Sequence, residues 1–79
     1  MATVKELRLE VDTLQAELDM CKAALAHLID ARKDLDPDPE FDAIFAQQRA
    51  EVEYKIASIE KQINLLNFQI DMLEFNNTL

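Results

Sequence analysis

Only one stretch of this chain has the residues to stop a helix. Asp36-Pro37-Asp38-Pro39 holds both prolines of a 79-residue sequence that has no glycine. A residue before proline is pushed towards extended backbone, so Asp36 and Asp38 should be non-helical. On either side, apolar residues recur at alternating spacings of three and four, the period of a coiled helix. The N-terminal run is Val4, Leu7, Val11, Leu14, Leu18, Cys21, Leu25 and Leu28, continuing through Arg32 to Leu35. The C-terminal run is Phe45, Arg49, Val52, Ile56, Ile59, Ile63, Leu66, Ile70 and Leu73. The pattern predicts an all-α, two-helix coiled-coil hairpin.

Local signals place the ends. Thr3-Val4-Lys5-Glu6 matches the capping box, in which the Thr hydroxyl accepts from the amide three residues on. Asp38 is the expected N-cap of the second helix, Pro39 its first helical residue, and Glu40 faces the positive end of its dipole. The expected bounds are helix over 3–34, turn over 35–38, helix over 39–75 and a frayed tail over 76–79. A link this short forces the helices antiparallel within one domain. Closing the loop pairs Leu28 with Arg49, Cys21 with Ile56, Leu18 with Ile59, Leu14 with Ile63 and Leu7 with Ile70. That register sets Lys22 beside Glu53 and Gln15 beside Glu60. Arg32, Asp42 and Arg49 interrupt the seam near the turn, so the open end should be the tighter one.

A second stripe does not fit a lone hairpin. Leu65, Phe68, Met72, Phe75 and Leu79 repeat on the second helix about 160° from its seam, at about 100° per residue. A helix apolar on two opposite faces needs two sets of neighbours. Two Phe alone bring roughly 300–500 Å² of surface to bury, as much as the largest patch a monomer usually exposes. Leu9 stands on the outside of the first helix, in a heptad series with Ala2, Ala16 and Ala23. Phe41 and Ile44 lie outside the seam near the turn and are candidates for a smaller contact.

Composition narrows the partners. A net charge of −8 disfavours nucleic acid and anionic membrane surfaces, whose phosphates call for clustered Lys and Arg. The 49% hydrophobic content is too high for a disordered acidic tail. No apolar run approaches the roughly 20 residues of a membrane span. The first residues lack the basic start and apolar run of a signal peptide, so a cytoplasmic protein is expected. Chains this small often lean on oligomerisation, metals or disulfides, and one Cys with one His leaves oligomerisation.

The residues that could carry chemistry have plainer explanations. Cys21 occupies a seam position, where burial disfavours a thiolate. His27, the sole candidate base, points outward elsewhere on the same helix. The acids Asp34, Asp36, Asp38, Glu40 and Asp42 alternate as in a calcium loop, but Pro39 stands where glycine is required and Phe45 where the bidentate Glu belongs. Asn76-Asn77-Thr78 matches a glycosylation sequon at a tail without a secretion signal. A hairpin offers no cleft for paired carboxylates. The expectation is therefore a non-enzymatic chain with no cofactor and no metal.

What remains is binding. The sequence predicts a small acidic hairpin that self-associates as a C₂ dimer resembling a four-helix bundle. Through Leu65, Phe68, Met72, Phe75 and Leu79, helped by Leu9, Phe41 and Ile44, it would act as an adaptor, co-chaperone or inhibitor of a protein with a basic surface. The outline, with an aromatic after the turn in Pro39-Glu40-Phe41, resembles short hairpin co-chaperones of type III secretion needles. Sporulation-phosphatase hairpins share the outline, but their S-Q-x-L-D signature is missing. Three alternatives stand beside this one: a purely structural coiled-coil module, a phage-type inhibitor of a host protein, and a DNA mimic. Mimicry ranks last because the acids crowd the turn and the first helix instead of spreading over one face.

Overall fold

The computed structural model describes residues 3–78, which form two helices and one turn. Helix α1 spans Val4–Lys33 and helix α2 spans Pro39–Thr78. The caps follow the chemistry of the sequence. Glu6 N donates to Thr3 Oγ1 at 3.2 Å, and Glu40 N donates to Asp38 Oδ1 at 3.0 Å. Each removes one of the orphan amides that open a helix. Arg32 and Lys33 lie in the last turn of α1, where cations complement the dipole.

Helix α2 runs to Thr78, past the end expected at Phe75. Asn76, Asn77 and Thr78 are weaker helix formers than alanine by about half a kcal/mol each, but none is a glycine or a proline. Low propensity therefore does not end the helix there. Leu79 lies outside the described residues, as do Met1 and Ala2.

The helices pack side by side in a rod of 61 × 16 × 15 Å. Leu18 and Ile59, each 4% exposed, and Ile63 form the centre of the core, with Val11, Leu14, Cys21 and Ile56 packed against them. These are the layers expected from closing the loop. Leu7 and Ile70 are the other buried hydrophobic residues among those described. All five lie in the half away from the turn, whereas Leu25, Leu28, Phe45 and Val52 are only half-buried. A two-helix seam cannot enclose a side chain completely, and towards the turn it also loses apolar partners.

Ion pairs flank the seam, and one of them corrects the expected contacts. Lys22 forms its ion pair with Glu60, its Nζ 4.0 Å away, and not with Glu53. Glu53 instead accepts from Arg49 Nε at 2.8 Å, one turn back on its own helix. Gln15 likewise bonds within α1, to Asp19 at 3.0 Å. On the other flank Lys55 lies 3.8 Å from Glu17. Lys22–Glu60 and Lys55–Glu17 slant in opposite directions, so sliding one helix either way lengthens one of them. Exposed pairs are each worth up to about 1 kcal/mol, so they trim the register while the core supplies the stability.

At the turn, Arg32 does more than interrupt the seam. Its guanidinium pairs with Asp42, donates to the Leu35 carbonyl oxygen at 3.1 Å, and sits 5.9 Å from the centre of the Phe41 ring. One side chain thereby ties the end of α1 to the loop and to the start of α2. Arg32→Ala should lower the melting temperature by about 4–8 °C, the shift expected for about 1 kcal/mol in a domain this size. Amide exchange should speed up around residues 32–42 and stay slow around Leu18 and Ile59. Thermal circular dichroism with hydrogen exchange checks both.

Candidate protein-docking face

The outer stripe of α2 is exposed from Leu65 to Phe75. Leu65, Met72 and Phe75 are exposed, and Phe68 is 63% exposed. They fall within about 80° of one another around the helix axis. Such exposure is ordinary for one hydrophobic side chain and unusual for four neighbours on one face. Lys61 is the charged residue nearest to them on this face. Glu74 is drawn to the far flank, where it pairs with Arg8.

The two creases between the helices differ. On one side Leu9, Thr13 and Leu14 of α1 face Gln62, Leu65 and Leu66 of α2 across an open groove of about 580 Å³, with Glu6 and Glu10 at its rim. On the other, Arg8, Asp12, Asn67, Asp71 and Glu74 line a polar crease. The stripe therefore continues onto α1 on one side only, through Leu9, which is exposed. An apolar partner gains more by approaching from that side.

The remaining expected residues are dispersed. Ile44 is exposed, but it lies near the turn, five helical turns or more from Leu65. Phe41 is half-buried and its ring faces Arg32, so it belongs to the turn clasp. Leu79 lies outside the described residues. Ala16, Ala23 and Met20 are exposed on the back of α1, and Ala2 is undescribed.

Tyr54 had no assigned role and is 79% exposed. It stands eleven residues before Leu65, just over three full turns, so the two share a meridian of α2. That spacing was available in the sequence. It escapes a search for heptads because the series shifts by one residue between them.

Comparison with protein-family models, curated proteins and solved structures finds no match.

Nothing else among the described residues gathers into a site. Cys21 is half-buried against the core, and His27 is exposed. Among the described residues no three His, Cys, Asp or Glu come together as metal ligands. No helix among them is long and apolar enough to cross a membrane.

Proposed function

We propose that this chain is a non-enzymatic protein-binding hairpin whose working surface is the outer face of α2 from Leu65 to Phe75. The observation that carries the reading is the exposure of Leu65, Phe68 and Met72 together, on the side where Leu9 extends them across the groove. An amphipathic helix that lays such a face on a partner gains affinity from a few large side chains at the centre. Acids cluster around the turn, at Asp34, Asp36, Asp38, Glu40 and Asp42, and would steer a basic partner without taking part in the apolar contact. Adaptor, co-chaperone and inhibitor all fit this surface.

A purely structural module is the second reading, favoured by the absence of any feature on the face beyond apolar bulk. The two make different predictions for the protein alone. Sedimentation of the purified chain should show association in the micromolar range, because the stripe is unfavourable in water. A chain that stays monomeric throughout that range would remove self-association from both readings. It would leave the face to a foreign partner alone.

A further inference from the structure

The outer face of α2 extends well beyond the aromatic stripe. Ala43, Gln47, Ala50, Tyr54, Ala57, Lys61, Leu65, Phe68, Met72 and Phe75 follow one another at spacings of three and four, with a single four–four step at Lys61. All ten are exposed. Together they make a second seam over 33 residues of a 40-residue helix, about 48 Å long at a rise of about 1.5 Å per residue. Its two halves differ in size. The half near the turn is three alanines with Gln47 and Tyr54, and the half near the open end is Leu, Phe, Met and Phe.

That asymmetry specifies a partner. Taking the outer face of α2 as the docking surface, we propose that its occupant is the same face of a second copy, running antiparallel about a twofold axis near Ile59. In that arrangement residues whose numbers sum to about 118 face each other. Phe68 meets Ala50 of the second copy, Phe75 meets Ala43, Met72 meets Gln47, Leu65 meets Tyr54, and Lys61 meets Ala57. The members of each pair also sit at nearly the same angle around the helix. A twofold axis perpendicular to both helices requires this, because it keeps each residue on the same lateral side. Both phenylalanines thus fall on alanines, and the bulkier end of each helix is set against the smaller end of the other.

The parallel arrangement fails on the same residues. It sets Phe68 on Phe68 and Phe75 on Phe75 at one end, and Ala43, Ala50 and Ala57 on themselves at the other. Interhelical distance follows the side chains at the contact, so the helices would have to splay. It also places Lys61 directly against its own copy, whereas the antiparallel pair staggers the two lysines by about 6 Å and sets an alanine opposite each.

Area agrees with a modest dimer. A stripe about 48 Å long and about 10 Å wide buries about 500 Å² per copy, or about 1,000 Å² in total. That is the lower edge of specific interfaces, consistent with association in the micromolar range.

The test uses the full chain in a Cys21→Ala background. Gln47→Cys and Met72→Cys are prepared separately, mixed, and oxidised under mild conditions. A disulfide needs Cα atoms within about 7 Å. The antiparallel pair brings residue 47 of one copy to residue 72 of the other, while two copies of residue 47 stay about 36 Å apart. The expected product is the mixed disulfide, with little from either variant alone. Efficient self-linking of Gln47→Cys would show parallel helices and overturn the proposal. A third result is no cross-link in any mixture while Phe68→Glu still dissolves the dimer. That would overturn the antiparallel pairing and leave the docking face standing. A dimer that Phe68→Glu does not affect would remove the docking face itself.

Discussion

Ile63→Glu should abolish the helical far-ultraviolet signal at ambient temperature. Ile63 is 8% exposed and packs with Leu18 and Ile59 at the centre of the core. Deleting a buried isoleucine side chain costs about 2–5 kcal/mol. Placing a carboxylate there, with no cation within the cluster, adds several more. A core this small rarely supplies more than about 3–5 kcal/mol altogether. The loss therefore exceeds the stability available, and the helices cannot persist separately, because isolated helices are marginal in water. Circular dichroism is the measurement. Full helix content in Ile63→Glu would mean that the hairpin is held by something other than this seam, for instance by contacts between copies.

The contrast between this residue and its near neighbours shows how much of the fold is legible in the sequence. Ile63 and Leu65 are both large aliphatic residues two positions apart, and composition cannot separate them. Their phase does. Ile63 continues the series Ile56, Ile59, Leu66, Ile70, and the first helix offers a matching series at the distance the turn allows. Both helix N-caps were readable for the same reason: Thr3 and Asp38 act on amides two or three residues away. Long polar side chains were less predictable. Lys22 reaches Glu60 and not Glu53 because Glu53 already has Arg49 one turn back, and several exposed partners lie within reach of a flexible lysine at nearly equal energy.

Arg32 illustrates another limit. In the heptad pattern it is a fault in the seam, and the fault correctly marks the looser end. The pattern cannot say that the guanidinium will turn towards Phe41, Asp42 and the Leu35 carbonyl, because those groups come together only once the turn has formed. The candidate face was legible in half. Leu65, Phe68, Met72 and Phe75 announce themselves by size, whereas Ala43, Ala50 and Ala57 look like ordinary helix formers. They gain a second meaning from being exposed on the same meridian as the large residues.

Phe68→Glu should separate association from folding. At 63% exposure Phe68 contributes little to the intrachain core, and it projects nearly opposite the seam residues Ile63, Leu66 and Ile70. A glutamate there is solvated in the monomer and a good helix former. Helix content and melting of the monomer should change little, by less than about 0.5 kcal/mol as for other surface substitutions. In any complex formed through the outer face, the same carboxylate is taken out of water against apolar side chains. An uncompensated buried charge costs about 3–5 kcal/mol, and each 1.4 kcal/mol is about tenfold in affinity. A micromolar complex should weaken by about two to three orders of magnitude and drop out of the micromolar range. Sedimentation beside circular dichroism on the same sample reads both effects. Loss of helix together with loss of association would mean that the second copy holds the hairpin together. Retained association at full helix content would move the docking surface to another face, with Met20 on α1 and Ile44 near the turn the next exposed hydrophobic residues to vary.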